Sequence, residues 1–347
     1  MLAAYHLGRQ CLPTYSCKFS RKDFTLPQLF ACLAVREHQR QSYRGCEALL
    51  RDAEHWCHAI GMGKVPDHNT LCRAFGVIVT GRRMNKALDV LARWFTLAGV
   101  LKLSQKPVAL DSTYLEPHHL SRHYEHRRRE TRRRAEREAG SKSGPKGKRK
   151  SKAKSKAEKP DKAGSRTRRE AVKALPKAGF AVASACHVIL AARVCTGAGG
   201  DQPWLEPLLL DAWRRVPNKT FTAVADAGFD SEANHVIARR DMGLRSIIPP
   251  DNGRPAKHGA PPGGRWRRRM KTLLGTKRSR RRCGYTQRWQ SETTNSMVKR
   301  NLGSALRART PRRREREMLL RAVVHDVMLA LRHRGSQGRD RADTSPF

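Results

Sequence analysis

The sequence predicts an α/β protein: a mixed sheet flanked by helices, preceded by an all-α region over residues 1–100. Three observations carry that prediction. Apolar residues recur at helical spacing through the first hundred residues. Short β-rich runs, KPVAL, FAVASACHVILAARV, FTAVA and RSII, then alternate with helical stretches. Their order is strand, two strands, helix, strand, helix, strand, helix, the pattern of a sheet covered on its faces.

The chain is also strongly basic. Its 72 Lys and Arg stand against 30 Asp and Glu, a formal net charge of +42. A compact state with that charge repels itself unless a polyanion is near. Nucleic acid is therefore the natural partner, with an affinity that falls steeply with salt. No apolar stretch of about 20 residues is long enough to span a membrane, and the N-terminus lacks a signal-peptide pattern. The nine cysteines show neither zinc nor disulfide spacing and read as reduced thiols in a cytosol.

Taken in order, residues 1–20 show no clear period. Thr25 and Gln28 form a capping-box pattern, Pro27 suits a first turn, and Leu29, Phe30, Leu33 and Ala34 make an apolar face. Further helices are predicted from Tyr43 through Leu50, across AEHWCHAI, after an Asp67 N-cap, and from Met84 to Ala98. The run 53–76 has two readings. It is a helix-turn-helix reader with Arg73 reaching a groove, or part of a helical bundle packed on the sheet domain.

KPVALDST reads as a strand ending at Asp111, which either caps the following turn or ligates a metal. Ser121, Arg122 and His123 are candidates for phosphate contact, with a plain surface role as the alternative. Residues 127–170 form a basic low-complexity insert that cannot bury enough to fold. It reads as a DNA-contacting arm or a solvated loop within the domain 101–334. In FTAVADAGFDS, Asp226 ends a strand, Gly228 allows a sharp turn, and Asp230 or Ser231 caps the next helix. That logic gives Asp230 a structural task and leaves Asp226 free for a site. Between Pro250 and Tyr285, residues 251–271 read as a basic loop. The last helix begins at Thr310 and Pro311, and 335–347 reads as a disordered tail.

Tyr285, Arg288, Glu292 and Lys299 fall at offsets of 0, 3, 7 and 14. On a helix all four lie within roughly 60° of arc. A solvated face with one ion pair is the plain alternative. This spacing resembles the Tyr-x2-Arg-x3-Glu-x6-Lys signature of bacterial insertion-sequence DDE transposases. VPDHNTL, DST after an apolar strand, SRHYEHRR and DAGFD are similar to the family's text as well, with Phe229 replacing the usual Tyr. Asp326 stands where the family often has Asn.

The resemblance implies an RNase H-like catalytic core, with Asp111, Asp226 and Glu292 catalytic and holding two Mg²⁺ ions, for which Mn²⁺ can substitute. It implies DNA contacts from Tyr285, Arg288, Lys299 and Arg300, with Arg122 and Arg73 as further candidates. It also implies that the N-terminal region binds terminal repeats of double-stranded DNA. A homodimer pairing two transposon ends and a bacterial, nucleoid-associated cytoplasmic location are implied in the same way. The rival readings are a transposase remnant that binds DNA without cutting it, and a basic RNA- or ribosome-associated protein.

Overall fold

The computed structural model describes residues 1–101, 107–117, 175–197, 199–216, 219–251 and 263–342, with only backbone for 334–342. Arg122, His123 and the 127–170 insert lie outside the described residues.

Six helices come first: α1 Leu2–Cys11, α2 Leu26–His38, α3 Tyr43–Asp52, α4 Glu54–His58, α5 His68–Ile78 and α6 Gly81–Leu97. Thr25 closes a full capping box with Gln28, and Asp67 caps α5 by accepting from the Thr70 N–H. Helix α1 lies where the sequence shows no clear period. It buries Ala4, Leu7, Gly8 and Cys11, a face of mostly small residues that carries little periodic signal. Gly8 is needed there because a Cβ would come within 3.0 Å of the Pro27 backbone.

The helix-turn-helix reading does not hold. That motif joins two helices by a turn of roughly 3–4 residues. Here α4 is a single five-residue turn of helix, and the connection 59–67 separates it from α5. The alternative holds: the six helices are a bundle packed on the sheet. One apolar core runs without a break from Leu7, Phe30 and Leu91 to Phe180, Leu190 and Val323.

The main sheet has five strands in the order β4-β3-β1-β5-β6. They are β1 Val108–Tyr114, β3 Pro176–Ala183, β4 Val188–Thr196, β5 Thr222–Ala225 and β6 Arg245–Ile247; β2 Glu116–Pro117 pairs separately with β7 Ala305–Leu306. Strand β1 pairs antiparallel with β3 along its whole length, but parallel with β5 only over Val108–Leu110. So β1 does not end at Asp111, as its sequence suggested. It continues to Tyr114 because β3 still supplies a partner, while β5 has stopped. Asp111 sits at that one-sided edge, where a side chain at the end of β5 can reach it.

Six helices accompany the sheet: α7 Leu205–Arg215, α8 Glu232–Val236, α9 Arg265–Leu273, α10 Lys277–Arg282, α11 Trp289–Leu302 and α12 Pro311–Ala342. Successive residues of a strand face opposite sides. On the Ser112 side, Trp204, just before α7, and Leu208 of α7 pack over Gly179. On the Asp111 side lie α11 and the pair α9–α10. Met270, Leu274 and Cys283 there make a second small core with Ala109, Val224 and Ile247.

Two expectations are corrected. The expected basic loop 251–271 runs into α9 from Arg265 onward, and α10 follows before Tyr285. Helix α9 buries only Met270 and α10, made of Lys, Arg and Ser, buries nothing, so the basic composition rather than a missing period makes the stretch read as a loop. The backbone of α12 continues to Ala342, past position 335, where a disordered tail was expected. A helix nucleated by a long buried stretch adds residues cheaply, and two glycines cost only about 1 kcal/mol each. No described helix is long and apolar enough to cross a membrane.

Buried arginines fasten the helical region to the sheet. Arg215 of α7 donates to Asp89 Oδ1 (2.7 Å) and the Asn85 carbonyl (2.9 Å) of α6, and to the Leu190 carbonyl of β4 (2.5 Å). Arg321 of α12 donates to Glu37 Oε1 of α2 (2.7 Å), Glu317 Oε1 (2.9 Å), and the Gly303 and Ala305 carbonyls (2.6 and 2.7 Å) just past α11. Asp326 accepts from the Ile189 N–H at 3.0 Å, and burial pushes its carboxyl well above the ordinary range.

Candidate active site

Three elements carry the three candidate acids toward one face of the sheet. Asp111 comes from the middle of β1. Asp226 follows the last residue of β5, where its Oδ1 accepts from the Ala227 N–H at 2.6 Å and starts a 3-10 turn. Glu292 comes from the first turn of α11. Asp226 is exposed, whereas Asp230 is only 2 % exposed. Asp230 accepts from the Asp251 N–H (2.8 Å) and from Arg267 Nε (2.8 Å), and Ser231 caps α8. The structural task indicated for Asp230 is thus observed, while Asp226 caps its own turn and stays exposed.

Helix α11 docks through an unusual face. Its buried residues are Ser291, Thr294, Asn295, Val298 and Leu302, mostly small and polar. Glu292 and Lys299 lie about a quarter turn from that face, at the margin where the helix leaves the sheet. Glu292 is 54 % exposed and pairs with Arg288 at 2.5 Å. Tyr285 and Arg288 are not on α11 itself. They form a 3-10 turn, Tyr285–Arg288, entered through Gly284 in the left-handed region (φ +81°). The four-residue stripe therefore holds together across a change of helix type. Lys299 is half-buried and Arg300 exposed; the Arg300 carbonyl accepts from Arg40. Arg73 is exposed on α5, away from this cluster in the chain's order and on a different helix.

The charges act on one another. Burial raises the Asp111 carboxyl to about 6; Arg288 pulls it down, while Asp226 and Glu292 push it up. Burial opposes the charge on Arg288, but its bond to Glu292 and the charges of Glu292, Tyr285 and Asp226 outweigh that and raise its pKa. Burial, with a contribution from Asp226, raises the Tyr285 phenol, so it remains a hydrogen-bond donor at neutral pH.

Two further residues hold this arrangement. Asn295, one turn beyond Glu292, donates from Nδ2 to Asp111 Oδ2 at 2.9 Å. Asp201 accepts from Ser112 Oγ at 3.0 Å and lies where a Cβ on Gly228 would be 2.9 Å from it. It therefore braces the neighbours of both Asp111 and Asp226. Its charge is met by the nearly buried Lys177, 2.5 Å away. Asn295 lies inside the signature stretch and is detectable as the next residue on the inner side of the helix. Asp201 carries no local sequence signal.

Residues 102–326 match the model of the transposase DDE domain family. That covers well over half of the chain, which belongs to this family. No curated protein and no solved structure matches it. The mixed α/β fold agrees with an RNase H-like DDE domain.

The family generally uses divalent metal ions. The donor set fits such ions chemically: three carboxylates with no sulfur or imidazole among them, two of which raise the pKa of the third. Among the described residues no group of three or more His, Cys, Asp or Glu is close enough to hold a metal ion as it stands. At Glu292 the neighbouring cation is the Arg288 guanidinium.

Proposed function

We propose that this transposase cuts DNA at the ends of its element and joins those ends to a target, with Asp111, Asp226 and Glu292 as the catalytic carboxylates. The observation that carries the reading is the arrangement of these acids: the register Leu110↔Ala225 sets Asp111 beside Asp226, and Asn295, one turn from Glu292 on α11, bonds Asp111 at 2.9 Å. The three acids come from β1, the end of β5 and the start of α11, yet Asp226 and Glu292 both raise Asp111. Packing like charges together is costly unless a cation compensates them.

The reaction is an in-line displacement at phosphorus. The chemistry a divalent ion supplies in such a carboxylate site is activation of the attacking oxygen and stabilisation of the leaving one. Two Mg²⁺ ions, with Mn²⁺ able to substitute, suit an all-oxygen donor set. Without a bound cation, burial raises the Asp111 carboxyl to about 6, so an ion bound there competes with its proton. Asn295 engages Oδ2 of Asp111 and fixes the orientation of its carboxylate. Arg288 and Lys299 hold phosphate oxygens of the transposon end, as the Tyr-Arg-Glu-Lys signature suggests. Tyr285 donates a hydrogen bond from its protonated phenol. Arg300 and Arg73 contact the DNA backbone further out. Two copies of the chain pair two transposon ends.

The test is cleavage of DNA carrying the element's own ends in Mg²⁺ or Mn²⁺, comparing the intact chain with Glu292→Gln. Loss of cleavage in the variant, with DNA binding retained, is the expected result. If both proteins bind and neither cuts in either metal, the chain is a DNA-binding remnant and the catalytic reading is wrong.

A further inference from the structure

Beside α9, at the β6 edge of the sheet, a groove of about 520 Å³ is lined by Arg239, Arg240, Arg245, Trp266 and Arg269 together with apolar residues. Among the described residues no acidic side chain lines it. Arg239 is its fixed wall. It donates from Nε to Ser246 Oγ (3.0 Å) and from Nη2 to the Ser246 carbonyl (2.5 Å), and its guanidinium lies 4.4 Å from the Trp266 ring centre. Arg269 and Arg265 lie against the same ring, at 5.7 and 5.2 Å. Arg240, Arg245 and Arg269 are exposed, so the groove presents three guanidinium groups around a rigid stacked core. Burial, and after it the charges of Arg269 and Arg245, lower the pKa of Arg239. The cluster is therefore electrostatically unfavourable as it stands.

The basic surface does not stop at the groove. From Arg265 to Arg282 the sequence RWRRRMKTLLGTKRSRRR contains ten Lys and Arg and no acid. Most of these side chains are exposed along α9 and α10. Helix α10 leads through Gly284 directly into the Tyr285–Arg288 turn of the candidate active site. We propose that the groove is a phosphodiester-binding site for duplex DNA, the outer end of a basic track leading from the β6 edge to the catalytic face. It takes the backbone of DNA flanking the reacting phosphate. Regular duplex phosphates suit it because its donors are guanidinium groups, which bind phosphate bidentately, and the exposed basic side chains continue from it along α9 and α10. A backbone site of this kind reads no sequence. The inference rests on the proposed action on DNA and adds the place where DNA outside the site is held.

The test is fluorescence anisotropy with a labelled 30-base-pair duplex of arbitrary sequence, across a salt series, on the full chain. The groove variant is R240A/R245A/R269A. The control, R93A/R214A/R332A, removes equal charge from exposed positions elsewhere. Each phosphate contact contributes about 0.9 to the slope of log affinity against log salt. The groove variant should therefore flatten the slope by about 2 to 3 and weaken binding at least tenfold relative to the control. The conservative variant R240K/R245K/R269K should recover most of the slope, showing that the loss is of charge and not of fold. Equal slopes for the groove and control variants overturn the proposal, as does tighter binding of single-stranded RNA than of duplex DNA. The outcome is separable from the catalytic reading because no cleavage is needed. A chain that binds with its full slope and never cuts refutes catalysis and leaves the groove in place. One that cuts, and whose groove variant keeps its slope, does the reverse.

Discussion

Replacing Arg321 by Met should cost the fold about 3 kcal/mol. Arg321 is 1 % exposed and stands between two carboxylates, Glu37 and Glu317, that are 0 % and 1 % exposed. Breaking a buried ion pair by removing one partner costs about 3–5 kcal/mol, because the remaining charge is left without compensation. Here the lower end applies. Arg36 stays 3.3 Å from Glu37, Arg307 stays 3.7 Å away, and Glu317 keeps the Arg307 and Ala308 N–H groups. The Gly303 and Ala305 carbonyls also lose their donor, which loosens the corner that ends α11. Urea unfolding at pH 7 reads the effect. The double variant Glu317→Gln, Arg321→Met should be more stable than the single one, since it no longer buries the unpaired charge. A single-variant loss below 1 kcal/mol, or a double variant no better than the single, refutes the reasoning.

Three other outcomes are expected from the same contacts. Burial lowers His235 and His325 to about 4, so their contribution is complete above pH 6.5 and is lost as pH falls from 6.5 to 4, roughly 3 kcal/mol each. Asp111, raised to about 6, and the buried Glu37 and Asp326 carboxyls, also raised, work in the opposite sense as pH falls, so the test compares His325→Gln with the intact chain: a urea midpoint whose change between pH 7 and pH 4.5 is the same in both contradicts this. Gly179→Ala puts a Cβ 2.6 Å from the Trp204 ring and should destabilise by about 1–3 kcal/mol, read by the same unfolding assay, with no change taken as disproof. Asn295→Ala removes a charge-assisted bond to Asp111, worth about 1.5 kcal/mol or more. The acid limb of the cleavage rate should then move up by about one pH unit, and a limb that stays in place shows that Asn295 does not act through Asp111.

The features legible in the sequence are local. The caps at Thr25 and Asp67, the strand–turn–helix around Asp226 and the separate role of Asp230 depend on residues within a few positions of one another, so a short window contains all the chemistry that sets them. The stripe from Tyr285 to Lys299 is legible from its spacing, although its first turn is 3-10. The features that stay hidden depend on packing between distant segments. Helix α1 buries small residues whose periodicity is faint. Helix α9 buries only Met270 and α10 carries no apolar residue, so their arginine-rich text reads as loop. Strand β1 runs past Asp111 because β3, more than sixty residues later, pairs with it. The brace from Lys177 through Asp201 to Ser112 joins three separate segments, and no window of sequence contains it.

The central claim is that Asp111, Asp226 and Glu292 act as one unit. Cleavage rates of Asp111→Asn, Asp226→Asn, Glu292→Gln and the triple variant, each at matched DNA occupancy, test it most directly. Residues that act together are strongly non-additive. Each single change should therefore abolish nearly all cleavage, and the triple variant should be no slower than the slowest single one. Substantial cleavage in any single variant, or three modest losses that multiply in the triple, would contradict the account.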